Sequence, residues 1–241
     1  MTYNYKEGYS RLKTILDSDL IVTRQPVLPS YDDMSDKIAY QSYITAVCVN
    51  IRNSTTLLST ADKTEGLRTL KAFTEETTEI LEDDENLRQI SIRDNSIYAI
   101  YTSPQKKDDY DIADKAFFIN TYAKMLNKML VKKGLSPIEI SIGMATDEEL
   151  VIKGGTRDSD IKDIVCIGTA MTIATNLSAL GNINDDALLF AEESFNSFIE
   201  LLEIDYANAR SWFIKEEDED LGTYYTANIT KKGFSDFIEN I

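Results

Sequence analysis

The chain has 241 residues, 25 Lys and Arg against 41 Asp and Glu, a formal charge of −16, and no histidine. Without an imidazole there is no Ser-His-Asp or Cys-His nucleophile system and no HExxH zinc site, so any chemistry runs on carboxylates, Lys, Tyr, thiol or bound metal. The acidic balance, and the lack of a Lys/Arg stripe interleaved with aromatics, argue against DNA or RNA as a partner, whereas a single nucleotide carrying its own Mg²⁺ is compatible with it.

The length suits one large domain with additions. Residues 1–40 read as an N-terminal extension: a helix near 6–17, then the irregular, Pro-containing VTRQPVLPSYDD. The start lacks a basic stretch followed by an apolar one and no run approaches ~18 apolar residues, so a soluble, cytoplasmic chain with no membrane partner is expected. From residue 41 a regular alternation begins. ITAVCVNI (44–51) is a β-branched run typical of a strand covered on both faces. The following stretch carries Leu57, Leu58, Leu67, Leu70, Phe73, Ile80 and Leu81 on a helical stripe, with Asn53 or Ser54 as N-cap.

LRQISIRD and SIYAIYTS predict two strands meeting in a tight hairpin at Asp94-Asn95. A long amphipathic helix over 108–134 closes on Lys132, Lys133 and Gly134, and PIEISIGMAT predicts a fourth strand. IKDIVCIG is a fifth strand, TAMTIATNLSALG a helix ending at Gly181, and the remainder reads as strand, helix, hairpin and terminal helix. The acidic run Glu216–Asp220 falls on the hairpin turn, where solvation accounts for it. Cys48 and Cys166 sit inside apolar runs and read as small buried hydrophobes. The order β-α-β-β-α-β predicts an α/β (α+β) fold with a ferredoxin-like core and extra C-terminal α/β elements. The boundaries are an extension over 1–40, a catalytic domain over 41–229 and a C-terminal helix over 230–241.

Three segments carry the chemistry. VNIRNST (49–55) is a buried strand running into a helix start, where backbone N–H groups of Arg52, Asn53, Ser54 and Thr55 form an anion site for a triphosphate. RDNS (93–96) puts Asp94 at the turn of the neighbouring hairpin, and IGTAMTIATNLS (167–178) puts Thr172 and Asn176 four apart on one helical face.

In this order the segments resemble the class III nucleotidyl cyclases, whose strand ends in Asp-Ile-Arg/Phe-x-x-Ser/Thr, whose hairpin carries a second Asp, and whose later segment reads Ile-Gly-x-Ala-Val-Asn-x-Ala-x-Arg-Leu. Here these stand as Asn50-Ile51-Arg52-Asn53-Ser54-Thr55, Asp94, and Ile167 to Leu177. The resemblance implies two Mn²⁺ or Mg²⁺ ions per site, held at Asn50, at Asp94 and by the Ile51 carbonyl. It also implies cyclisation of a nucleoside triphosphate at a head-to-tail homodimer interface, with Thr172 and Asn176 facing the metals of the other copy.

The matches depart from the family pattern in a consistent way. Asn50 replaces the first Asp, and a neutral amide bridges two cations poorly; it stands either as a natural impairment or as an engineered replacement. Asn176 replaces an Arg, for which Arg52, Arg93, Lys153 and Arg157 are substitutes, Arg93 being carried as a catalytic candidate. At the base-reading positions stand Ile90 and Val165, which cannot hydrogen-bond a purine edge. That combination is similar to the pyrimidine cyclases of the bacterial Pycsar antiphage system, which make cyclic UMP or cyclic CMP as a signal to a separate effector. It implies UTP, or CTP, as substrate. A purine cyclase with unusual selectors and a catalytically silent nucleotide-binding homologue are the alternatives. A diguanylate cyclase is disfavoured because no GGDEF-like hairpin is present.

Overall fold

The computed structural model describes residues 2–52, 54, 63–155, 162–181 and 186–241. In chain order its elements are α1 (Tyr5–Leu16), β1 (Ile21–Arg24), β2 (Ile38–Ile51), α2 (Lys63–Glu82), β3 (Leu87–Arg93), β4 (Ser96–Thr102), α3 (Lys106–Lys132), β5 (Ile140–Lys153), β6 (Ile164–Ile167), α4 (Ala170–Leu180), β7 (Leu188–Ala191), α5 (Glu192–Asp205), β8 (Ile214–Asp218), β9 (Gly222–Ala227) and α6 (Lys232–Glu239). One sheet runs β3-β4-β2-β5-β7-β9-β8, with β1 beside β2 and β6 beside β5. Its β3-β4-β2-β5 part, antiparallel throughout, is the expected split βαβ core, and β7 joins β5 in parallel to begin the C-terminal extension.

Alternation along β2 assigns the two faces. Val47, Val49 and Ile51 point into the larger core with Phe73 of α2, Ile112 and Phe117 of α3 and Phe198 of α5. Ala46 and Cys48 point the other way, under Ala170 and Ala174 of α4. Helices α2, α3 and α5 therefore cover one face and α4 the other. Gly143 of β5 is the seat of α4: a Cβ there would lie 2.0 Å from the Ala174 carbonyl oxygen and 2.7 Å from the Ser178 nitrogen. Only glycine lets backbone approach backbone that closely.

The C-terminal elements are locked to the core by aromatic edges, with Phe190–Phe198 and Phe195–Phe213 centroids 5.1 and 5.0 Å apart. β2 begins six residues before the predicted strand, because Tyr40 to Tyr43 pair with Val151 to Glu148 of an equally extended β5. The second half of the first 40 residues packs on the body: β1 pairs in parallel with β2, Leu28 and Met34 are buried, and the Leu28 N–H donates to Thr102. α1 is different. Its Tyr5, Tyr9, Leu12 and Leu16, one face at i, i+4, i+7 and i+11, are all exposed.

Candidate active site

The end of β2 meets the β3–β4 hairpin and the start of β5. Asn50 pairs with Ser96 on one side and Ser141 on the other, and Ser96 pairs in turn with Arg93. Cross-strand partners share a face, so Arg93, Ser96, Asn50 and Ser141 form one row on the α4 face. One tier further along the strands, about 7 Å away by the rise of two residues, Ser91, Tyr98, Cys48 and Gly143 form the next row.

The hairpin turn sets Asp94 apart from the strand end. Asp94 adopts the left-handed region, φ 53°, and is exposed. The side chain turned toward the strand end is that of Asn95: its amide nitrogen lies 2.6 Å from Asn50 Oδ1 and also donates to the Ile51 carbonyl oxygen. Ser96 Oγ donates to the same Asn50 oxygen at 3.2 Å, and the Asn95 carbonyl receives the Ile51 N–H at 3.0 Å. Asn50, Ile51 and Asn95 thus converge, and Asp94 does not join them. The signal available in the sequence was the alternation of β4: with Ile97, Ala99 and Tyr101 committed to the core, Ser96 and Tyr98 face the site.

Ile90 also lies apart from the cluster. It packs against the larger core, on the face opposite Asn50; the neighbouring residue on the site's face is Ser91. Val165 is 45% exposed on β6. The two regions do come together, because the Gln89 carboxamide accepts the Ile164 N–H at 3.1 Å and ties β6 to β3. Thr172 and Asn176 are both exposed on α4, as their spacing requires, and no hydrogen bond joins them to Asn50.

Arg52 is exposed at the strand end, with its guanidinium against Gly181 (φ 76°), where a Cβ would fall 1.9 Å from the Arg52 Cζ. A cation there faces the C-terminal end of α4, the negative end of its dipole. Ser54 is helical and half-buried. Asn53, Thr55 and Arg157 lie outside the described residues, so of the expected anion site only Arg52 and Ser54 are described.

Two carboxylates not anticipated hold the opposite end of α4. Asp147 accepts from Thr169 Oγ1 at 2.7 Å, and Glu149 accepts the Ala170 N–H at 2.8 Å. Burial, reinforced by Asp147, raises the Glu149 pKa. Burial, with Glu149 beside it, also pushes the Cys166 thiol up to about 12, which keeps it protonated and unreactive.

No protein-family model matches the chain. It is 34% identical over 239 residues to a uridylate cyclase of Treponema porcinum, an alignment covering 99% of this chain and 82% of the relative. The chain belongs to the nucleotide cyclases. A second uridylate cyclase, from Gulbenkiania mobilis, is 21% identical over 98% of this chain and 90% of its own. The crystal structure of the adenylyl cyclase CyaB from P. aeruginosa superposes with a TM-score of 0.62 at 16% identity, over 78% of this chain and 94% of that one. Fold and relatives together make this a class III cyclase near the uridylate cyclases, an enzyme of the phosphorus–oxygen lyase class.

The donor set of this cyclase does not fit the pair of divalent ions that the family resemblance implies. The three groups that converge are Asn50, Asn95 and a backbone carbonyl, all neutral, and Asn95 presents a donor rather than an oxygen. Among the described residues no three His, Cys, Asp or Glu side chains are grouped to hold a metal. Hard divalent cations require oxygen ligands and favour anionic ones.

Proposed function

We propose that the chain is a pyrimidine nucleotide cyclase that takes UTP, with CTP as the other candidate, and forms the 3′,5′-cyclic nucleotide and pyrophosphate. The relationship at 34% identity to a uridylate cyclase over nearly the whole chain carries this reading. In the reaction the ribose 3′-oxygen bonds to the α-phosphorus, the bond from that phosphorus to the pyrophosphate oxygen breaks, and the 3′-hydroxyl proton passes to solvent. The residues contribute by binding and orientation. Arg52 and Ser54 at the strand-to-helix junction attract the phosphates. The Asn50–Asn95–Ile51 cluster meets the ribose and α-phosphate, and Arg93 on the same row supplies positive charge.

Ser91, Tyr98 and Gln89 on the α4 face line the region where the base is read, and among the described residues no Lys or Glu on the Ser91–Tyr98–Cys48–Gly143 tier offers a purine-type contact. Thr172 and Asn176 are outward-facing and act on the site of a second copy in a homodimer, which the first 40 residues support through the exposed face of α1. The cyclic nucleotide then acts as a signal to a separate effector in antiphage defence.

The test is to incubate Asn50→Asp/Asn95→Asp protein with each of the four NTPs and Mn²⁺ and to identify products by mass spectrometry. Cyclic UMP, or cyclic CMP, as the dominant product is expected; a product from ATP or GTP alone overturns the reading. A second reading, nucleotide binding without appreciable cyclisation by the chain as it stands, is favoured by the amides at both Asn50 and Asn95.

A further inference from the structure

We infer that the side-chain nitrogen of Asn95 stands in the place of a cation, between Asn50 Oδ1 and the Ile51 carbonyl, so that this site holds its nucleotide without a divalent ion. The inference rests on the nucleotide-site reading above and specifies how that site is wired. Both N–H groups of one carboxamide are directed at two oxygens, Asn50 Oδ1 at 2.6 Å and the Ile51 carbonyl. Ser96 Oγ donates to the same Asn50 oxygen at 3.2 Å. An amide oxygen has two lone pairs, and both are engaged. A metal ion approaching Asn50 has to displace two hydrogen bonds to gain one neutral ligand.

The two amides also work as a matched set. Two carboxylates at this separation would repel, driving one to hold a proton unless a cation lay between them. An amide facing an amide satisfies itself, because one offers a nitrogen and the other an oxygen. Exchanging Asn50 alone for Asp leaves an acceptor where an acceptor already is, and the Asn95 nitrogen still fills the position. Exchanging Asn95 alone turns a carboxylate against the Ile51 carbonyl and the Asn50 oxygen. Metal binding therefore returns only when both positions change.

The experiment compares wild type with Asn50→Asp/Asn95→Asp, using the full chain and Mn²⁺ alone as the first probe. Thermal melting of the wild type is expected to be unmoved by Mn²⁺, and that of the double variant to rise by about 5–10 °C at a concentration a hundredfold above its Kd. Calorimetry with UTP is expected to give the wild type the same affinity within about twofold in EDTA and in Mn²⁺. A wild-type melt that rises with Mn²⁺, or UTP binding abolished by EDTA, overturns the inference, and both measurements stand even if the double variant fails to fold. Absence of binding to every NTP would refute the nucleotide-site reading instead, with the Mn²⁺ melts still deciding the role of Asn95.

Discussion

At the scale of the residue, a shift of one position along a strand exchanges core for site. Ile90 and Ser91 are neighbours, yet Ile90 packs against the larger core while Ser91 shares a row with Tyr98 and Cys48. Replacing Ile90 with Ala is expected to cost about 2 kcal/mol of stability, read by urea melts, and to leave the ratio of UTP to CTP affinity unchanged. Replacing Ser91 with Ala removes a hydroxyl worth about 1 kcal/mol as a hydrogen bond. It is expected to change that ratio several-fold in calorimetry while barely moving the melt. A base preference that follows Ile90 instead of Ser91 would contradict the register. The residue types at these positions were legible in the sequence; which of the two adjacent residues lay on the α4 face depended on the phase that the hairpin turn sets. Ile90, four residues before the turn residue Asp94, lies in the core, whereas Ser91, four before Asn95, lies on the α4 face.

Among the elements, β2, the β3–β4 hairpin, α3 and α4 could be read from apolar periodicity because each buries a continuous stripe. The early start of β2 could not, since Ile38 to Tyr43 become strand through pairing with β1 and β5, a long-range contact. The capping of α4 was equally hidden, because its partners Asp147 and Glu149 lie about twenty residues earlier in the chain. Glu149 makes that cap pH-dependent. Its folded pKa is raised by burial and by Asp147, so the folded state binds the proton more tightly than the unfolded state. Its contribution to stability is therefore fully present below the unfolded pKa and is lost as pH rises through the folded one. Glu149→Gln keeps an oxygen for the Ala170 N–H and cannot ionise. Its melting temperature is expected to gain on that of the wild type as pH rises from 4 to 8, and a difference that is flat or shrinks over that range would show that Glu149 is not the titrating group.

For the whole molecule, charge constrains how two copies meet. Each carries a formal −16, so bringing two together works against a long-range repulsion that salt screens, the Debye length falling from about 30 Å at 0.01 M to about 8 Å at 0.15 M. The proposed contact is not ionic at the side chains assigned to it: Thr172 and Asn176 are exposed on the α4 face and uncharged, as are Tyr5, Tyr9, Leu12 and Leu16 of α1. Apolar burial supplies the attraction, and it does not weaken at moderate salt. Dimerisation is therefore expected to strengthen with ionic strength, the dimer fraction in sedimentation equilibrium at fixed protein concentration rising between about 0.01 and 0.15 M salt. An interface held by complementary ion pairs would respond in the opposite sense, dissociating as salt is added. That outcome would move the contact away from α4 and onto a charged face, and with it the proposal that Thr172 and Asn176 serve the partner's site.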